Sequence, residues 1–185
     1  MKTKSILFVI FWILLIVISF TYDQKILDFI QYLKNPVLDF IFLGLHYLTD
    51  WISILVLFSL YFVTKDRKKL KSFLISYLIT MLFVLLLKNI VGRERPSIEL
   101  ENDLYGSFPS GHSTAMFSAL NFVSEKYFKH WIFISILVMI SRVYLGAHYA
   151  SDVLAGAFIG YFGCRILLRL VEFGKVSKFI NKFCA

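Results

Sequence analysis

The chain has 185 residues, of which 58% are hydrophobic and 18% aromatic, and its Lys and Arg outnumber its Asp and Glu by eight. A soluble domain has about 45–50% apolar residues even when glycine is counted. The composition therefore disfavours a soluble protein and excludes a disordered or collagen-like chain. Two cysteines, Cys164 and Cys184, are too few for a disulfide framework. In so apolar a chain, the positive charge indicates loops that face the inner membrane leaflet rather than a nucleic-acid partner.

Six apolar runs predict an all-α, polytopic membrane protein with a bundle of about six transmembrane helices. They are Ser5–Phe20, Leu45–Thr64, Leu70–Leu87, Ser113–Ser124, Trp131–Leu145 and Val153–Val171. We expect the first run to be an uncleaved anchor helix, because no small-residue cleavage site follows it. A spanning helix needs about 20 residues, and the fourth run reaches that length only by recruiting its polar flanks. Five spans with one re-entrant segment is the alternative.

The stretch between the first two runs, Asp23–Gly44, mixes charged and apolar residues at helical spacing and is interrupted at Asn35-Pro36. This pattern predicts an interfacial amphipathic helical segment rather than a further crossing. We hypothesise that the segment helps lipid reach the protein from the side. No repeat and no Gly/Ser linker divides the sequence, so we expect residues 1–185 to form a single membrane-embedded domain with its signature region at 88–152.

The distribution of Lys and Arg predicts the orientation of the chain. With the N-terminus inside and six alternating helices, fourteen cations fall on inner segments and six on outer ones. The positive-inside rule favours this arrangement over its inverse. Both termini are then cytoplasmic. Three polar segments then lie at the outer (periplasmic or extracellular) face of a cell membrane. These segments contain the candidate catalytic and anion-binding residues.

The first polar segment joins Lys88 to Arg95 and Pro96, with Arg93 between them. Pro96 forbids further helix, so these cations lie where the third apolar run leaves the membrane. Arg can bind two phosphate oxygens at once, and Lys acts as a point charge. The alternative interpretation is a group of helix-end cations that reach towards lipid headgroups.

The second polar segment is Phe108–Ser113, at the start of the fourth run. Ser110 is a favourable N-cap, and the free N–H groups of a first helical turn attract anions. Gly111 allows a ligand to approach the backbone closely, and His112 would lie within reach of it. The alternative for His112 is a structural histidine at the membrane interface.

The third polar segment, Ser141–Asp152, contains Arg142, His148 and Asp152. His148 and Asp152 are four residues apart, so on a helix they would face the same side. A carboxylate beside an imidazole fixes its tautomer and leaves the other ring nitrogen competent as a nucleophile or base. The alternative is a polar pair that joins two helix ends. We assign His46 and His130 structural roles, because neither has a carboxylate partner at helical spacing that faces the site.

Together the segments supply three cations, a helix N-terminus and two histidines in different environments, which suits a phosphate dianion or another tetrahedral oxyanion. Lys88 to Pro96 reads K-x6-R-P, Pro109 to His112 reads PSGH, and Ser141 to Asp152 reads S-R-x5-H-x3-D. This three-part signature resembles that of the type-2 phosphatidic acid phosphatase family, membrane lipid phosphate phosphatases related to the vanadium haloperoxidases. The six-helix plan is also similar to that of the bacterial membrane members.

The resemblance implies a role for each signature residue. His148 would attack phosphorus and form a phosphohistidine, Asp152 would orient His148, and His112 would protonate the leaving oxygen and then activate water. The phosphate would be bound by Lys88, Arg95, Ser110, Gly111 and Arg142. No metal and no cofactor would be needed.

The function we expect is hydrolysis of a lipid phosphomonoester or pyrophosphate. Within the family the substrates include undecaprenyl pyrophosphate, phosphatidylglycerol phosphate, phosphatidic acid and lipid A 1-phosphate, and the sequence does not choose among them. One alternative is a lipid phosphotransferase that uses the same histidine. The other is a non-enzymatic membrane protein that binds anionic lipid, which leaves the His148–Asp152 spacing without an explanation. The expected partners are the phosphorylated substrate and membrane lipids.

Overall fold

A computed structural model describes residues 2–97, 106–172 and 174, and this part of the chain is helical and contains no strand. The α-helices are α1 (Lys2–Tyr32), α2 (Pro36–Leu48), α3 (Trp51–Lys65), α4 (Arg67–Val91), α5 (Gly111–Ala119), α6 (Glu125–Tyr144), α7 (Ala150–Phe158) and α8 (Cys164–Glu172). A 3₁₀ turn, Leu120–Phe122, follows α5, and a π-helical turn, Ile159–Gly163, joins α7 to α8. The predicted all-α class is confirmed.

Helix α1 is longer than the first apolar run. It continues past Phe20 to Tyr32 because no proline or glycine interrupts it. The chain breaks at the predicted place, where the Asn35 side chain accepts the N–H of Leu38 at 3.0 Å and Pro36 occupies the first turn of α2. The first half of the segment predicted to be a separate amphipathic element therefore belongs to α1, and only its second half forms α2.

The second predicted run is also divided. Helix α2 ends at Leu48, and Asp50 caps α3 by accepting the N–H of Ile52 at 3.1 Å. The two helices meet at an angle of 57°. A polar capping residue inside the run therefore turns a predicted straight crossing into a bent pair, and the bend brings the end of α2 against the start of α5.

Three helical segments in the described part of the chain are long and apolar enough to cross a membrane, namely Ile6–Tyr32, Arg67–Val91 and Ala150–Val171. The bent pair α2–α3 is a fourth if it counts as one span. Helix α5 has only nine residues, so the short fourth run does not cross by itself. These helices make the chain a multi-pass membrane protein.

The short helix α5 lies at the centre of the bundle, in contact with α3, α4, α6 and α7. Two glycines let α7 and the π-helical turn approach it closely. A Cβ on Gly156 would lie 2.4 Å from the carbonyl oxygen of Ser110, and a Cβ on Gly160 would lie 2.4 Å from that of Thr114. The close approach places the N-terminus of α5 beside the start of α7, which is where the candidate site is found.

Candidate active site

The three predicted polar segments meet at one end of the bundle. The last turn of α4, the first turn of α5 and the turn between α6 and α7 surround a cavity of about 580 Å³. Five of the eight predicted site residues line it, namely Lys88, Arg95, Gly111, His112 and His148. Ser110, Arg142 and Asp152 are buried around it. The rest of the lining is largely apolar and includes Trp51 of α3 and Leu78 and Leu82 of α4, together with the carboxylate residue Asp50.

Backbone carbonyl groups hold two of the three predicted cations, Lys88 and Arg95, in place. Lys88 is only 9% exposed, and its Nζ donates to the carbonyl oxygen of Gly106 at 2.8 Å. Arg95 Nη1 donates to the carbonyl oxygen of Ala147 at 3.0 Å and lies 3.5 Å from Nε2 of His148. Arg142, in the last turn of α6, is fully buried. The cations are thus oriented before any anion binds.

The spacing of His148 and Asp152 suggested that one helix would bring them together, but a turn does so instead. Helix α7 begins at Ala150, so His148 precedes it. The His148 Nδ1 lies 3.6 Å from Oδ2 of Asp152, and that same oxygen accepts the N–H of Tyr149 at 2.9 Å in the capping box of α7. Gly146, with a φ of +72°, provides the left-handed residue that the preceding turn requires.

Ser110 forms the predicted N-cap of α5. Its hydroxyl oxygen accepts the N–H of Ser113 at 3.5 Å, and its own N–H donates to the carbonyl oxygen of Asp152 at 3.0 Å. A Cβ on Gly111 would meet no atom within 4 Å, so the backbone there faces open space. The start of α5 is therefore both tied to α7 and open to the cavity, as an anion site at a helix N-terminus requires.

His112 lies in the first turn of α5, a helix too short to span a membrane. Burial lowers the pKa of His112 well below its usual range, and the charge of Arg142 adds to this effect. Its Nε2 lies 3.3 Å from the carbonyl oxygen of His46. The lowered pKa favours the neutral imidazole before an anion binds, and a phosphate dianion beside it would favour the imidazolium.

His46, predicted from the sequence to have a structural role, lines the cavity of the site. Its ring stacks on that of His112, with centroids 5.1 Å apart, and its Nδ1 contacts an Nη of Arg142. A guanidinium group can only donate, so Nδ1 of His46 is an acceptor and the ring is the Nε2–H tautomer. The bend between α2 and α3 brings His46 here, and no pattern in the sequence signals that bend as a route to the site.

Arg93, a cation of the first polar segment that is not part of the three-part signature, also supports the site. One of its Nη atoms donates to Oδ1 of Asp152 and to the hydroxyl of Ser151, both at 2.7 Å, and the other donates to Oδ2 of Asp23 at 2.8 Å. Its guanidinium also lies 4.2 Å from the ring centroid of Tyr149. Although burial lowers the pKa of Arg93, hydrogen bonds and charge from Asp23 and Asp152 raise it above its ordinary value.

Asp23 of α1 completes this network from the other side. Its Oδ1 accepts the N–H of Ser151 at 2.9 Å, its Oδ2 accepts the hydroxyl of Ser151 at 2.5 Å, and the residue is 4% exposed. A signal for this role does exist in the sequence. Asp23, Leu27 and Gln31 follow one another at intervals of four on one helix face. All three face the α6–α7 region. Asp23 binds Ser151, Leu27 clusters with Val143 and Val153, and Gln31 donates to the carbonyl oxygen of Tyr144 at 2.9 Å.

Comparison with known proteins gives the family. The sequence model of the PAP2 superfamily matches residues 69–174, which is more than half of the chain. The chain belongs to the PAP2 superfamily. This matched region contains every signature residue placed around the cavity.

Curated relatives of this PAP2 chain include phosphatases and one protein with a transport name. A lipid A 1-phosphatase of Rhizobium etli is 35% identical over 113 residues, which cover 48% of this chain and 49% of the relative. The bacitracin transport permease protein BcrC of Bacillus licheniformis is 28% identical over 138 residues, or 68% of this chain and 66% of the relative. The chain thus matches about half the length of the Rhizobium etli protein.

Two solved structures share the PAP2 fold seen here. A transmembrane PAP2-type phosphatidylglycerolphosphate phosphatase from Bacillus subtilis superimposes with a TM-score of 0.75 at 23% identity, covering 93% of this chain and 97% of that one. Aquifex aeolicus LpxE superimposes with a TM-score of 0.70 at 24% identity, covering 80% and 94%. The likeness extends across most of both chains and supports the helical arrangement described above.

Proposed function

We propose that this protein is an integral-membrane lipid phosphate phosphatase that works through a phosphohistidine on His148. The observation that carries the proposal is the two-part lining of the cavity. One part presents Lys88, Arg95 and the N-terminus of α5, which suit a phosphate group, and the other is largely apolar surface from α3 and α4, which suits a lipid tail. Family membership and the relatives named as lipid A and lipid phosphate phosphatases support the same substrate class.

The geometry suggests how the reaction proceeds. Nδ1 of His148 faces Asp152, so Nε2 is the nitrogen that attacks phosphorus, at the side where Arg95 lies. The N–P bond forms as the P–O bond to the lipid breaks, and His112 gives its proton to the departing oxygen. Water then attacks phosphorus, His112 takes the water's proton, the N–P bond breaks and inorganic phosphate leaves. Lys88, Arg95 and Arg142 stabilise the charge on the phosphoryl oxygens.

The test is an assay of purified protein against lipid phosphates, including lipid A 1-phosphate, phosphatidylglycerol phosphate, phosphatidic acid and undecaprenyl pyrophosphate. We expect phosphate release from at least one of them. His148→Ala should abolish release, and His130→Ala, a change at an exposed position on α6, should not affect it. Acid-labile, base-stable radiolabel on the wild-type chain and none on His148→Ala would support the intermediate. Release by the folded His148→Ala protein would refute it.

The same assay separates hydrolysis from phosphate transfer. Hydrolysis produces inorganic phosphate in water alone, whereas a phosphotransferase requires an acceptor and passes the group to it. We propose hydrolysis rather than transfer because relatives of the chain are named as phosphatases. A product that appears only when an acceptor lipid is added would favour the phosphotransferase.

We further propose that the termini are cytoplasmic and that the site faces the outside of the cell membrane. The proposal rests on the cluster Lys65, Arg67, Lys68, Lys69 and Lys71 around the start of α4, because such clusters are retained in the cytoplasm. A cysteine placed at Lys71, which is exposed, should be shielded from a membrane-impermeant thiol reagent in intact cells. A cysteine at the exposed Glu94 should react. The reverse labelling pattern would invert the topology.

A further inference from the structure

A second cavity, separate from the candidate active site, lies at the other end of helix α4. It has a volume of about 690 Å³ and opens between α3, α4, the 3₁₀ turn, α6 and α8. Its lining combines two lysines with polar groups and a large apolar surface. The lining residues used below are Lys68, Lys69, Ser72, Leu57, Phe62 and Leu168. None of them lines the cavity that contains His112 and His148.

The spacing of the two cavities matches the thickness of a membrane. Lys68 and Lys69 lie in the first turn of α4, and Lys88 lies in its last turn. An α-helix rises about 1.5 Å per residue, so the two sets of cations are about 30 Å apart along an apolar helix. The hydrocarbon core of a bilayer is also about 30 Å thick. The second cavity is therefore at the depth of the membrane surface opposite the candidate active site.

The chemistry of the lining is that of a site for a charged amphiphile. Lys68 and Lys69 are exposed lining residues, and Ser72 adds a hydroxyl to the lining. Tyr61, Tyr127 and Trp131, which are aromatic residue types enriched at membrane surfaces, also line it. The apolar part of the lining includes Leu57, Phe58, Phe62 and Leu168. A fatty acyl chain would cover this surface while an anionic headgroup meets the lysines.

The N-terminus of α4 does not by itself account for the site. Two N–H groups of its first turn already have an acceptor, because Asp66 Oδ1 accepts those of Lys68 and Lys69 at 3.1 and 3.2 Å. Lys69 keeps a side chain that is 66% exposed, and its 3.9 Å contact with Asp66 is a weak surface pair. The lysine ammonium groups, rather than the helix end, are therefore the elements that would select the ligand.

We propose that this second cavity binds an anionic phospholipid of the membrane leaflet opposite the candidate active site. The headgroup phosphate pairs with Lys68 and Lys69, and one acyl chain lies against Leu57, Phe62 and Leu168. The lipid fills a gap between α3, α4, α6 and α8 and so stabilises the bundle by mass action, without taking part in the reaction at His148. The proposal does not depend on the catalytic function of the other cavity.

Native mass spectrometry of the protein with phosphatidylglycerol or phosphatidylethanolamine tests this directly. We expect the wild type to retain phosphatidylglycerol in preference to phosphatidylethanolamine and to show a higher Tm with it. The double change Lys68→Gln/Lys69→Gln should weaken phosphatidylglycerol binding by about fivefold for each lysine removed. The matched control Lys65→Gln/Lys71→Gln removes the same charge from the same region, but neither residue lines the cavity.

Leu57→Trp provides a second variant that fills the cavity and leaves every charge in place. Leu57 is exposed, so the substitution should not disturb folding, and it should also lower the retention of phosphatidylglycerol. Equal losses in the two lysine double variants would overturn the proposal, because the effect would then be general surface charge. Equal retention of both lipids by the wild type would overturn the proposal as well. The absence of retained lipid on every variant, the wild type included, would also overturn it.

Discussion

Arg93 donates to Oδ1 of Asp152 at 2.7 Å, on the carboxylate whose other oxygen lies 3.6 Å from Nδ1 of His148. The carboxylate therefore serves two cationic partners at once when His148 is protonated. Arg93 is not one of the signature positions, yet it determines which carboxylate oxygen remains for the histidine. Asp23 binds the other end of the same guanidinium and links the first helix of the bundle to the candidate active site.

Replacing Arg93 should impair both stability and turnover. Arg93→Ala leaves the fully buried Asp152 without its charged partner, and removing one member of a buried ion pair costs about 3–5 kcal/mol. We expect a lower Tm and a large loss of kcat. Arg93→Lys keeps the charge but cannot reach both carboxylates in the same way, so it should recover part of the Tm and less of kcat. Wild-type kcat in a folded Arg93→Ala protein would show that Asp152 needs no such support.

Asp23→Asn tests whether the first helix contributes to the site. The amide can still accept one hydrogen bond from Ser151, but it no longer carries the charge that pairs with Arg93. We expect kcat to fall by about tenfold with little change in KM, because charged hydrogen bonds are worth about 1.5–3 kcal/mol. Asp28→Asn is the control, since Asp28 is exposed on the same helix and its Oδ1 accepts a hydrogen bond from Nε2 of Gln24 at 2.8 Å. Similar losses in both variants would point to a general effect on α1.

His46→Ala should alter the acid–base behaviour of His112. The change removes the ring that stacks on His112 and the acceptor that Arg142 contacts. Without that acceptor the guanidinium is reoriented, so we expect at least a tenfold loss of kcat and a displaced pH profile. His130→Ala, on the exposed face of α6, should leave both unchanged. A pH profile identical to that of the wild type would show that His46 is only a packing residue.

Gly156→Ala should disrupt the link between α5 and α7. The new Cβ would lie 2.4 Å from the carbonyl oxygen of Ser110, so the N-terminus of α5 must move away from Asp152. We expect a lower Tm together with a loss of activity of tenfold or more. Gly163→Ala, where the nearest atom is 3.8 Å from the added Cβ, is the matched control. Its measured Tm and activity should remain close to those of the wild type.

Activity should survive EDTA. The charge that a phosphoryl group develops is met here by Lys88, Arg95 and Arg142, and His112 provides the proton for the leaving oxygen. We therefore expect phosphate release to be unchanged after dialysis against the chelator and unaffected by added Mg²⁺. A strict requirement for a divalent cation, measured in the same phosphate assay, would contradict the proposed mechanism.

The sequence by itself determined the class of the protein and the set of signature residues. Apolar runs of this length can satisfy their backbone groups in lipid only as helices, so the all-α, multi-pass architecture follows from composition and periodicity alone. The spacing of Lys88, Arg95, His112, His148 and Asp152 at the ends of those runs also sufficed to predict that they share one side of the membrane.

Only the tertiary structure decided how these residues are supported. The contacts of Asp23 with Ser151, of Arg93 with Asp152 and of His46 with Arg142 join positions that lie between 59 and 128 residues apart. Such contacts leave no local period in a single sequence, because they depend on how helices cross rather than on how each one forms. The bend at Asp50 and the contact at Gly156 bring these helices together, and neither residue signals by itself which partner it will meet.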